Sequence, residues 1–164
     1  MSVAGVLHIL SAPPELCPHI DWTLFGILHK PVSLSWTSQP ACPGTVRSEL
    51  AFEAVPGTAA AVTSALANWG QLRFEVTEDR SPGCDATRYS YTPALGIFTA
   101  VTAANGDILI PEGRLRQALS EASAPGASLA AELALLLGAA WDDELEPFRQ
   151  AVAQLGTPPL TVVG

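Results

Sequence analysis

Across residues 3–77 the hydrophobic pattern switches repeatedly between a period of two and a helical period, and the switches run in the order β-α-β-β-α-β. Val3 to Leu10 is apolar on both parities, as a central strand covered on both faces should be. Cys17-Pro18 opens a helix, because a proline lacking its N–H loses nothing in the first turn. Ile20, Leu24, Ile27 and Leu28 then repeat at core-facing spacing until Pro31 ends the run. Val32 to Thr37 alternates strictly and predicts a second strand, with Pro40 to Gly44 as the turn. Thr45 to Ala54 predicts a third, with Val46, Ser48, Leu50, Phe52 and Ala54 on one face and Arg47, Glu49, Ala51 and Glu53 on the other. Thr58 is placed as N-cap of a second helix whose Val62, Leu66 and Trp69 face the sheet, and Gly70 as its left-handed stop. Leu72, Phe74 and Val76 give the fourth strand a strongly specified register.

This order predicts an α+β fold with a ferredoxin-like βαββαβ core over residues 1–80: an antiparallel sheet with both helices on one face. Residues 81–164 read as an extension of the same single domain. A turn-rich loop, Asp79 to Ala86, leads to a β segment, Arg88 to Thr92. Ile97 to Thr102 and Asp107 to Ile110 form a β-hairpin around Asn105-Gly106, since both turn residues tolerate positive φ. Pro111 opens a helix bearing Leu115, Ala118, Leu119 and Ala122. Ser128 caps another, with Leu129, Leu133, Leu136 and Leu137 on one side and Gly138 closing it. Trp141 to Glu144 reads as an acidic turn ahead of a last helix starting near Pro147, and the tail from Thr157 as a strand end.

Composition narrows the function classes. A formal charge of −8, with Lys30 as the sole lysine, disfavours nucleic acid, which is bound through clustered Lys and Arg. The outward positions of the third strand also lack the aromatics of an RNA-stacking sheet. No apolar run approaches the roughly 20 residues of a membrane span, and the first residues lack the basic flank of a signal peptide. Three widely spaced cysteines, Cys17, Cys42 and Cys84, suggest free thiols in a reducing compartment. A cytoplasmic protein is expected, without membrane insertion, cofactor or metal, and of open oligomeric state.

Each candidate for chemistry has a plainer alternative. Cys17 at a helix start beside His19 could be an activated thiol; the plainer reading makes Cys17 a small N-cap with His19 and Asp21 solvated. His8, inside an apolar strand, could transfer protons or simply be a bonded histidine, and His29 suits a helix C-terminus. Tyr89 and Tyr91 share one face of a strand that also carries Arg88, and could form a binding platform or cover the sheet. Asp142, Asp143 and Glu144 beside Trp141 could bind a hard cation or a basic partner, although acid ahead of a helix is ordinary punctuation. Trp141, Leu145 and Phe148, spaced by four and three, would then anchor the segment to the body.

Several phrases together resemble a known family: Ser11-Ala12-Pro13 running into Leu16-Cys17-Pro18-His19; Arg73-Phe74-Glu75-Val76-Thr77-Glu78; Arg88 to Pro93 running into Leu95-Gly96-Ile97-Phe98; Gly106-Asp107-Ile108; and Trp141 through Arg149. The chain resembles the actinobacterial domain of unknown function 3145 family over nearly its whole length. The resemblance implies a small cytosolic bacterial protein without assigned catalytic residues, encoded near type II fatty-acid synthesis genes. The expectation is a non-catalytic accessory or regulatory protein that binds another protein. The alternative is a small-molecule-binding module or enzyme using a cleft between the sheet and the C-terminal extension. Expected partner- or ligand-binding residues are His8, Arg88, Tyr89, Tyr91, Trp141, Asp142, Asp143 and Glu144.

Overall fold

The computed structural model describes residues 1–155 and 161–163, Leu155 in its backbone alone. Strands β1 (Val3–Ala12), β2 (Thr37–Ser38), β3 (Val46–Ala54), β4 (Arg73–Glu78), β5 (Ala86–Thr92), β6 (Gly96–Thr102), β7 (Ile108–Leu109) and β8 (Thr161–Val163) form one sheet. Its order is β2-β3-β1-β4-β5-β6-β7, with every neighbouring pair antiparallel. β8 is the exception to the direction, adding parallel to β3 through Leu50, Ala51 and Phe52. Helices α1 (Cys17–Leu28), α2 (Thr58–Ala67), α3 (Glu112–Glu121), α4 (Leu129–Leu137) and α5 (Ala139–Leu155) complete the chain. The fold is therefore α+β around a largely antiparallel sheet.

One parity of the central strands carries the apolar core. Leu7, Ile9, Leu50, Phe52, Phe74 and Val76 meet Ile20, Leu24 and Leu28 of α1 and Val62 and Leu66 of α2 in one buried cluster. These are the stripes the sequence assigns, and both helices lie on that face. The other parity presents His8, Glu49, Glu75, Ser90 and Arg88, and α5 runs across it over β1 and β5. Strand β1 is thus covered on both faces. Its burial pattern ends in four consecutive buried residues because a bulge sets Leu10 and Ser11 opposite Arg47. The buried Gln39 side chain donates to the Leu10 carbonyl there at 2.7 Å.

Several sequence expectations need correction. Val32 to Trp36 does not pair, and β2 is reduced to Thr37 and Ser38. The segment is held instead by Leu34 N–H donating to Asp21 and Ser48 Oγ donating to the Ser35 carbonyl. Further along, the same edge of β3 is taken by β8. Thr58 is not the N-cap of α2; Gly57 is, and the cap is supplied from across the sheet. The buried Glu78 carboxylate accepts from Gly57 N–H at 2.7 Å and Ala59 N–H at 2.8 Å, satisfying orphan donors at the positive end of the helix. Cys17 is likewise not a cap but the first residue of α1, behind a 3-10 turn over Pro14–Leu16. His29 does end α1, in a left-handed conformation with φ 55°.

No turn precedes the last helix. Trp141 to Glu146 is helical, and Pro147 lies inside α5. Pro147 cannot donate to the Asp143 carbonyl, but both residues face solvent, where water can take that carbonyl's bond. Ser128 Oγ does cap α4, and Gly138 closes it at φ 70°. A side chain at Gly138 would also collide with the Phe98 ring, so close packing and backbone conformation both demand glycine. The leucines of α3 and α4 are less covered than their periodicity suggests: Leu119, Leu129, Leu135 and Leu137 are exposed. Of the tail, Thr161–Val163 is strand β8, while 157–160 and 164 lie outside the described residues.

Candidate functional site

The sheet face under α5 holds a charge network built around Glu75. Strand alternation puts Glu75 opposite in sense to Phe74 and Val76, and register sets it between His8 of β1 and Ser90 of β5. Only 9% of Glu75 is exposed. Its carboxylate accepts from Arg149 Nε at 2.9 Å and from Arg149 Nη2, from Arg88 Nη2 at 2.8 Å and from Ser90 Oγ at 3.1 Å. Asp142, two turns before Arg149 on the same face of α5, accepts from Arg149 at 2.9 Å and Arg88 at 3.2 Å. Burial pushes the Glu75 carboxyl up, but the hydrogen bonds and charges of Arg149 and Arg88 outweigh it and hold it below the ordinary carboxylate value. Burial likewise works against the Arg149 cation, yet Glu75, Asp142 and Glu146 raise its pKa above the usual guanidinium value.

The eight residues expected from sequence are divided among different settings. Arg88 and Asp142 join the Glu75 network, and Glu144 pairs with Arg73 at 3.3 Å. Arg73 also stands 4.8 Å from the centre of the Phe148 ring. Trp141 tilts against Phe98 with ring centres 5.2 Å apart and donates its indole N–H to the Gly96 carbonyl at 2.9 Å. Asp143 points outward. Tyr89 and Tyr91 face the opposite side, toward α2; Tyr91 is buried and stacks on Phe74. His8 is half-exposed, its Nδ1 lying 3.4 Å from Glu49. The structure therefore brings Arg88, Asp142 and, two strands from Arg88, His8 to one face, and places the tyrosines on the other.

Beside the network lies a cavity of about 230 Å³ between the sheet and α5. His8, Leu10, Arg47, Glu49, Glu75, Arg149 and Val152 are among the residues that line it. Arg47, only 5% exposed, has its Nε buried without a hydrogen-bond partner. Sequence reasoning passed over Glu75, Arg149 and Arg47. The available signal was weak: a charged residue on the polar parity of each of two central strands, and Asp142 and Arg149 seven residues apart on one helix face.

The outer face of α1 is a second surface. Trp22 is 80% exposed and Phe25 51% exposed, and Gly26 beside them is also exposed. Cys17, at the start of this helix, is not activated. Partial burial and then the neighbouring Asp21 charge raise its thiol pKa. His19 stacks at 5.6 Å on Trp69. Among the described residues no three His, Cys, Asp or Glu side chains are grouped to hold a metal, and no helix is long and apolar enough to cross a membrane.

Fold and site together define a mixed α+β protein whose sheet is sandwiched between helices, with a buried ion network next to a small cavity. The chain belongs to the DUF3145 family, described as proteins of unknown function, whose family model matches residues 6–158. Comparison with curated proteins and with solved structures finds no match.

Proposed function

We propose that this chain is a non-catalytic accessory protein that binds a helix of another protein on the outer face of α1. One observation carries the reading: Gly26, in the last turn of α1, is exposed, and apart from its own turn of helix nothing lies within 4 Å of where a side chain would stand. A glycine within a helix costs up to about 1 kcal/mol relative to alanine, and among the described residues nothing packs against Gly26 in return. Glycine there lets a second backbone approach closely. Exposed Trp22 and Phe25 flank that gap, and tryptophan is favoured at binding hot spots. The same face carries His19 and His29 in a chain of charge −8, so a partner helix meets less acidic surface here.

The wider reading is a single domain on a ferredoxin-like core, supported by the strand order β2-β3-β1-β4 with α1 and α2 together on one face. A cytoplasmic setting fits three free cysteines. Proteins of type II fatty-acid synthesis are the first partners to try, on the gene neighbourhood that the family resemblance implies. The test compares matched baits in native lysate: the wild-type chain, Trp22→Ala/Phe25→Ala, and Glu53→Gln as an exposed control. A stoichiometric partner should be recovered with the wild type and the control and be depleted about tenfold with the double variant, the loss expected for removing a hot spot. Equal recovery with the double variant, or no stoichiometric partner, would overturn the proposal.

A further inference from the structure

We infer that the cavity between the sheet and α5 is a binding site for a small monocarboxylate, held by Arg47. The inference is independent of the surface on α1.

The β1 bulge makes the room. Two residues of β1 stand opposite Arg47, and Arg47, on the parity of Glu49, lines the cavity together with Arg149 and Val152 of α5. A guanidinium stays charged at any physiological pH, so its burial has to be compensated by an anion. Of the other charges in the wall, Glu75 is held by Arg88 and Arg149, and Glu49 lies 3.4 Å from His8 Nδ1. Among the described residues no carboxylate lies within 4 Å of Arg47, and its Nε–H is buried without an acceptor. Among the described residues the wall thus contains one cation, Arg47, with a buried donor that lacks an acceptor, and an anion entering the cavity would compensate it.

The chemistry of that anion follows from the remaining wall. A guanidinium fork matches a carboxylate in geometry. A phosphate, with about −1.5 to −2 charges at neutral pH, would crowd a second negative charge against Glu49 and Glu75. Leu10 and Val152 supply an apolar side for a short hydrocarbon body. At about 30 Å³ per water, the cavity's 230 Å³ holds about eight non-hydrogen atoms, the size of a short acid.

The test titrates the full-length ¹⁵N-labelled chain near neutral pH, at constant ionic strength, with butyrate, inorganic phosphate or n-butylammonium. Butyrate should saturably shift the Arg47 Nε–H signal and the amides of Leu10 and Glu49. Arg47→Gln should weaken butyrate about tenfold or more, the scale of a lost charge-assisted pair. Because Arg47→Gln can disturb folding, Val152→Trp is the companion variant: it fills the cavity from α5 and leaves the charge in place. It should also abolish the shifts while keeping the wild-type dispersion elsewhere. The inference is overturned by a butyrate titration without saturable shifts, or by unchanged affinity in a folded Arg47→Gln or in Val152→Trp. Phosphate or butylammonium matching butyrate would overturn the ligand class.

Discussion

Replacing Glu75 by glutamine tests whether the ion network clamps α5 to the sheet. The change keeps shape and removes charge. It turns an acceptor of hydrogen bonds from Arg149, Arg88 and Ser90 into a group whose NH₂ opposes guanidinium N–H donors. Breaking a buried pair by removing one member costs about 3–5 kcal/mol, because the other charge is left stranded. Here Arg88 and Arg149 keep Asp142 and are about a quarter exposed, so solvent screening reduces the cost to about 2–3 kcal/mol. For a chain of this size that lowers the melting midpoint by roughly 4–12 °C. Adding Arg149→Met to Glu75→Gln removes one stranded charge and should recover part of the loss, seen as positive coupling in a double-mutant cycle. The pH dependence fixes the sign. The folded pKa of Glu75 lies below the unfolded value of about 4.3, so its contribution is complete above that pH and is lost as pH falls through the folded value. The melting difference between wild type and Glu75→Gln should therefore be largest near neutrality and shrink below about pH 4. Calorimetry across pH measures both quantities. A midpoint drop of less than about 1 °C, or a difference that does not narrow on acidification, would refute the reasoning.

Three further outcomes follow from packing and exposure. Gly5→Ala should destabilise by about 1–3 kcal/mol, since the added carbon would collide with the Phe52 ring and stand 2.8 Å from the Thr77 carbonyl; chemical denaturation measures it. Gly26→Ala should stabilise by about 1 kcal/mol in the same assay, because alanine is the better helix former and the space is open. Alkylation by iodoacetamide at neutral pH, mapped by peptide mass, should modify exposed Cys84 well before Cys17, whose thiol is half-buried and has a raised pKa; faster reaction at Cys17 would contradict the environment described for it.

What the sequence made legible was whatever depends on neighbours along the chain. The stripes of α1 and α2, the alternation of β3 and β4, the Asn105-Gly106 turn and the Ser128 and Gly138 caps are each set within a few residues, and each stands where its pattern puts it. Val32 to Thr37 has the right alternation, but a strand also needs a free edge, and β3 offers part of that edge to β8, more than a hundred residues later in the chain. Glu78 capping α2 from a different strand is the same lesson in hydrogen bonds. Pro147 misled for the opposite reason: a local stop signal is overridden when Trp141, Leu145, Phe148 and Arg149 all gain contacts from one continuous helix.

The site was illegible because its meaning lies in burial. Glu75 and Arg149 are separated by 74 positions, and each looks like surface charge until α5 is laid on β1, β4 and β5. Arg47 is the sharper case. On strand parity it belongs with Glu49, Ala51 and Glu53, an ordinary solvated row. Beside a bulge in the neighbouring strand and under a helix from the far end of the chain, it becomes a buried cation lining a cavity. The same helix secures its own Arg149 to Glu75, so clamp and cavity share one wall. Weakening the clamp should then loosen the cavity: Glu75→Gln should reduce butyrate affinity without touching Arg47, whereas Arg47→Gln should leave the melting response to acid at Glu75 intact. Separate responses in both directions would mean that α5 is held chiefly by its buried Leu145 and the Trp141 contacts, and that the ion network only orients it.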